Sequence, residues 1–195
     1  ACPEGKYQGV EGASACELGG DGYTCPKGSV VQIPASCAAS TFLNATLAAT
    51  LDDPMDACVG CPAGSVCAGG ASQPRLSGRG TFAVVFASET IDCPAGRYGS
   101  ETGLSSASCS GLCEPGYYCE AGSVSAKAAA CAEGSYGNTT GLTAQANCTT
   151  CPVGHACTEG ASAPGECVRG TVQPAQGQGT CGACEAGKFM NQTGQ

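Results

Sequence analysis

The sequence predicts a small disulfide-rich fold, an elongated tandem array of short β-hairpin modules with little helix. Three observations carry this. Eighteen of the 195 residues are cysteine, a content that marks a cross-linked secreted scaffold. Large apolar residues are scarce, with no Trp, four Phe and six Tyr against 31 Gly and 11 Pro. Ordering a residue costs about 1.5 kcal/mol, which so thin a core does not offset, so covalent loop closure has to supply much of the stability. Third, the cysteines recur in one frame: Cys-x2-Gly-x-Tyr, a glycine, a Cys-x2-Cys or Cys-x3-Cys step, and a Cys-x5-Cys loop.

The frame is clearest in residues 93–130, where Cys93-Pro-Ala-Gly-Arg-Tyr98 is followed by Gly103, Cys109, Cys113 and Cys119. Residues 131–166 repeat it with Cys131-Ala-Glu-Gly-Ser-Tyr136, Gly141, Cys148, Cys151 and Cys157. Two matches at a period of about 37 residues make a tandem array. The first module, residues 2–36, carries Cys2-Pro-Glu-Gly-Lys-Tyr7, Gly12 and Cys16, but Val31 stands where the partner of Cys25 is expected. Residues 37–92 form an elaborated module around Cys37, Cys58, Cys61 and Cys67. Within it, Leu43, Leu47 and Leu51 fall four apart behind Ser40 and predict a short amphipathic helix. Thr81-Phe-Ala-Val-Val-Phe86 predicts a β-strand. On a thin module that strand either shares a private mini-core with the helix or offers Phe82, Val84, Val85 and Phe86 as a subunit contact. Residues 167–183 make a short module with Cys167 and Cys181, and Cys184-Glu-Ala-Gly-Lys-Phe189 opens another over 184–195.

Four cysteines allow three pairings. The Cys167 module lacks its third and fourth cysteines together, which favours first-to-second and third-to-fourth bonds. That scheme gives Cys2–Cys16, Cys37–Cys58, Cys61–Cys67, Cys93–Cys109, Cys113–Cys119, Cys131–Cys148, Cys151–Cys157 and Cys167–Cys181. The interlaced scheme, first to third and second to fourth, stays open. The favoured one leaves Cys25 and Cys184 without local partners, as candidates for intermolecular bonds.

The frame glycine permits a positive-φ turn, and the Tyr or Phe two places on supplies each module's large apolar contact. The whole pattern, Cys-Pro-x-Gly-x-Tyr, glycine, Cys-x2-Cys-Pro-x-Gly-x-x-Cys, resembles the ephrin-receptor-like cysteine-rich repeats of eukaryotic surface proteins. It is more distantly similar to tumour necrosis factor receptor and epidermal growth factor-like modules. The likeness is strong over 93–167, fair over 2–36 and 167–195, and weak over 37–92. It implies disulfide-threaded hairpins in an extracellular rod, with no catalytic residues and no particular partner.

Charge and motif narrow the function. The net charge is −8, with eight basic residues scattered singly, whereas phosphate backbones and anionic membranes call for clustered cations. No run of 18 apolar residues spans a bilayer in this segment. The start at Ala1-Cys2 fits a processed secreted chain or a segment of a longer one. The Cys-x2-Cys pairs at 58/61, 148/151 and 181/184 belong to the frame rather than to a zinc knuckle, and His155 is the single histidine. Asp52, Asp53 and Asp56 lack a calcium-loop pattern. No nucleophile–base–acid constellation is legible, so neither enzyme activity nor cofactor nor metal is expected. Asn44, Asn138, Asn147 and Asn191 head Asn-x-Ser/Thr sequons and are candidates for N-linked glycans. The sequence therefore points to a glycosylated extracellular structural protein that self-associates into a filament or coat. The alternative is a cysteine-rich stalk or ligand-binding ectodomain of a receptor.

Overall fold

A computed structural model describes residues 37–48, 54–69 and 73–194, with four further two-residue strands, Lys6–Tyr7, Glu17–Leu18, Tyr23–Thr24 and Ile33–Pro34. The chain divides into two compact units. One comprises Ala1–Gly78, Phe82–Ile91 and Gly103–Ser106; the other comprises Arg79–Thr81, Asp92–Thr102 and Ala107–Gln195. Among the described residues the strands form ten two-stranded sheets, each joining neighbours in sequence.

One local rule builds the hairpins of the second unit. Two strand residues follow each frame glycine directly, and two more end directly before the next frame cysteine. Arg97–Tyr98 pairs with Gly111–Leu112, Tyr117–Tyr118 with Ala129–Ala130, and Ser135–Tyr136 with Thr149–Thr150. His155–Ala156 then pairs with Gly165–Glu166, and Thr171–Val172 with Gly182–Ala183, all antiparallel. The entry to each is a tight turn, as at Ala132–Ser135, where the Ser135 N–H donates to the Ala132 carbonyl at 3.0 Å and Gly134 has φ +82°. A turn with positive φ at its third residue selects glycine there. So short a strand pair is marginal by itself, and the cysteines on either side tie it down.

In the first unit, Lys6–Tyr7 pairs with Glu17–Leu18, Tyr23–Thr24 with Ile33–Pro34, Thr41–Leu43 with Cys58–Gly60, and Ser65–Val66 with Arg75–Leu76. Two expectations are corrected here. The helix expected from Ser40 to Leu51 is a single turn, Ala45–Ala48. Leu43 is buried in a strand instead, because the Cys37–Cys58 disulfide and the Leu43 to Cys58 register hold it against Cys58–Gly60. Asn44, not Ser40, caps that turn, its Oδ1 accepting the Leu47 N–H at 3.1 Å. Leu51 lies outside the described residues. The strand expected over Thr81–Phe86 ends at Phe82. Phe86 takes φ +59°, and its N–H donates to the Cys61 carbonyl at 2.9 Å, so the chain turns before Ile91–Asp92, the partner strand.

Sulfur takes the place of a hydrocarbon core. Among the described residues the largest fully buried side chains are nine cysteines and Ser77. The apolar cluster of Cys37, Leu43 and Ala57, with Cys58 against it, is small.

Candidate assembly surface

Among the described residues, seven disulfides join Cys37–Cys58, Cys61–Cys67, Cys93–Cys109, Cys113–Cys119, Cys131–Cys148, Cys151–Cys157 and Cys167–Cys181. Each runs first to second or third to fourth within its frame; Cys2, Cys16 and Cys25 lie outside the described residues. Two classes alternate from Cys93 onward. Wide loops close over 14 to 17 residues, as at Cys93, Cys131 and Cys167, and narrow ones over six, as at Cys113 and Cys151. Cys184 occupies the next narrow position, and Met190, six residues on, stands where the narrow bond's second cysteine would be. Cys184 is accordingly a free, half-buried thiol among the described residues.

Successive hairpins are joined through their main chains by one recurring set of four hydrogen bonds. Between the Cys151 and Cys167 frames, the Cys167 N–H donates to the Gly154 carbonyl (2.9 Å) and the Gly154 N–H to the Gln173 carbonyl (2.7 Å). The Gly177 N–H donates to the Cys151 carbonyl (2.8 Å) and the Cys157 N–H to the Gln178 carbonyl (3.0 Å). Between Cys113 and Cys131 the same four run from Cys131 to Gly116, Gly116 to Gly137, Gly141 to Cys113 and Cys119 to Leu142, at 2.8 to 3.0 Å. At about 1 kcal/mol net per neutral bond, each junction gains several kcal/mol without depending on side-chain identity. That is why variable residues fill the rest of the frame.

One hairpin escapes sequence reading. The stretch between Cys67 and Cys93 holds Ser77-Gly-Arg-Gly80-Thr-Phe82-Ala83, in which Ser77 occupies a frame-cysteine position. Ser77 is fully buried, and its hydroxyl donates to the Leu104 carbonyl at 3.2 Å. The Ser77 N–H donates to the Gly64 carbonyl at 2.9 Å and the Gly64 N–H to the Ala83 carbonyl at 2.7 Å, as cysteine frames do. The signal was the spacing of Gly80, Phe82 and Ala83, which a search anchored on cysteine passes over.

The surface residues singled out from sequence separate into two groups. Phe82 is buried, whereas Val84, Val85 and Phe86 are 44%, 59% and 62% exposed on the turn that follows it. The Phe86 ring lies over Gly60, where a Cβ would collide with it. Asn138, Asn147 and Asn191 are exposed, and Asn44 is half-buried. Asn147 Oδ1 accepts from Thr143 Oγ1 at 2.7 Å and from the Ala144 N–H at 3.1 Å. Like the Asn44 cap, these bonds use the amide oxygen and leave the nitrogen that would carry a glycan. His155 lies on a strand, with Nδ1 2.9 Å from the Val153 carbonyl. No group of three His, Cys, Asp or Glu side chains converges among the described residues, and no helix there is long and apolar enough to cross a membrane.

No protein-family model matches the chain, and no curated protein is significantly similar to it. The likeness to ephrin-receptor-like repeats thus rests on the motif alone.

Proposed function

We propose that this chain is an extracellular structural protein, a glycosylated cysteine-rich building block of a surface filament or coat. The disulfides favour an oxidising, extracellular setting. The observation that carries the reading is the recurring main-chain junction. Each hairpin offers one set of groups to its predecessor and a different set to its successor, so the contact is head-to-tail and does not close on itself. Contacts of that kind extend into rods and filaments rather than finite rings when no rotation closes them. Exposed Asn138, Asn147 and Asn191 would carry glycans on the loops, away from the buried cysteines. Val84, Val85 and Phe86 would add a lateral apolar contact, and Cys184 a covalent bond to a neighbouring cysteine. Electron microscopy of the native material, isolated without reductant, tests this: filaments or a regular coat are expected, and solitary particles refute it.

A further inference from the structure

One hairpin of the described array lacks its staple. Ser77 and Ala83 lie six residues apart and are both buried, as are the partners of the three narrow disulfides, Cys61–Cys67, Cys113–Cys119 and Cys151–Cys157. Their main chains match as well. The Gly80 N–H donates to the Gly99 carbonyl (2.8 Å), the Gly103 N–H to the Ser77 carbonyl (2.9 Å) and the Ala83 N–H to the Leu104 carbonyl (2.9 Å). In the Cys113 hairpin the same three bonds run from Gly116 to Gly137, Gly141 to Cys113 and Cys119 to Leu142. Ser77 and Ala83 thus hold the positions of a fourth narrow disulfide, with a hydroxyl and a methyl where two sulfurs stand elsewhere.

Two further observations say what this weak point serves. Among the described residues no disulfide crosses 68–92. Arg79 is exposed in the turn that enters this hairpin, between Gly78 and Gly80, whereas Arg75 is held in a strand against Val66. The other uncrossed links between hairpins, residues 120–130 and 158–166, hold no arginine. We infer that Arg79–Gly80 is a processing site for an arginine-specific endoprotease, a property that serves a filament subunit and a receptor stalk alike. Water adds across the peptide bond, leaving a carboxylate on Arg79 and an amine on Gly80. A protease acts on locally opened chain, and where opening is fast the rate follows the open population. Closing a six-residue loop disfavours the open chain, so its lack raises that population about 30-fold. A cut after Arg79 is bridged by none of the seven disulfides. One after Arg169, at the same turn position, leaves its two ends linked through Cys167–Cys181.

The test digests the oxidised full chain briefly with trypsin under native, non-reducing conditions and follows each new terminus by mass spectrometry. Cleavage after Arg79 is expected at least about tenfold faster than after Arg169. Ser77→Cys combined with Ala83→Cys, its new bond verified by non-reducing peptide mapping, should slow the Arg79 cut about 30-fold and leave the Arg169 cut unchanged. Equal rates at Arg79 and Arg169 in the parent chain, or an Arg79 cut that the closed bond does not slow, overturn the inference. A double variant whose two thiols stay free in the folded chain overturns the match of positions on which it rests. None of these results touches the filament reading, because the digest reads the opening of single chains.

Discussion

Gly134 and Gly170 occupy equivalent frame positions with φ of +82° and +83°, yet alanine at the two sites should behave very differently. Both substitutions place a Cβ in the left-handed region, at a cost of about 1 kcal/mol. At Gly170 nothing else is added, since no atom lies within 4 Å of the new carbon. At Gly134 the Cβ falls 2.7 Å from the Gly177 carbonyl carbon and closer still to its oxygen. Both are backbone, so no side chain can swing aside. The Gly177 loop has to retreat, which loosens its N–H bond to the Cys151 carbonyl (2.8 Å) and the neighbouring bond from the Gly134 N–H to the Cys157 carbonyl (2.8 Å). With about 1 kcal/mol for each bond, Gly134→Ala should cost about 3 kcal/mol against about 1 for Gly170→Ala. A chain of two units is a poor subject for a single global unfolding constant. The assay is therefore native-state amide exchange under non-reducing conditions, which reads local opening free energies at Gly134, Cys151 and Gly177. Equal losses for the two variants would refute the stacking of hairpins through the frame glycines.

Other perturbations follow from the same geometry. Replacing Cys131 and Cys148 together by alanine opens a loop of separation 17 and should cost about 3 kcal/mol, against about 2 for Cys151 with Cys157 at separation six, read as local opening free energies by amide exchange of the oxidised variants. Ser77→Ala removes the bond to the Leu104 carbonyl and should cost about 1 kcal/mol, measured by exchange of the Ser77 and Ala83 amides. Non-reducing peptide mapping of the native protein should find Cys184, which has no partner within its own frame, bonded to a cysteine elsewhere; Cys184 labelled by alkylation of the native protein removes the covalent contact from the account. Enzymatic deglycosylation in heavy-oxygen water should convert Asn138 and Asn191 to labelled Asp; unlabelled Asn at both removes the glycan from the account.

Much of the hairpin array was legible because its determinants are covalent or conformational. A cysteine in a fixed frame needs its partner, and a turn with positive φ needs glycine, whatever surrounds them. The errors arose where the frame was silent. Leu43, Leu47 and Leu51 have helical spacing, but the Cys37–Cys58 bond fixes Leu43 in a strand whatever its spacing suggests. Thr81–Phe86 has strand propensity throughout, but strand length here is set by the distance from the frame glycine to the turn, which leaves two residues. The Ser77 hairpin went unseen because a hydroxyl took over the buried cysteine position. The junctions between hairpins were the least legible, because their groups are main-chain N–H and C=O, identical at every residue and identifiable only by their partners.

The central claim is that one recurring main-chain junction builds the hairpin array, and residue-resolved amide exchange of the oxidised protein tests it most directly. The N–H groups of Gly96, Gly116, Gly134, Gly154 and Gly170 bond across junctions and should be protected from exchange. The exposed loop residues Glu101, Ser105 and Asn138 should exchange fast beside them. Junction amides that exchange as fast as those exposed loops would contradict it.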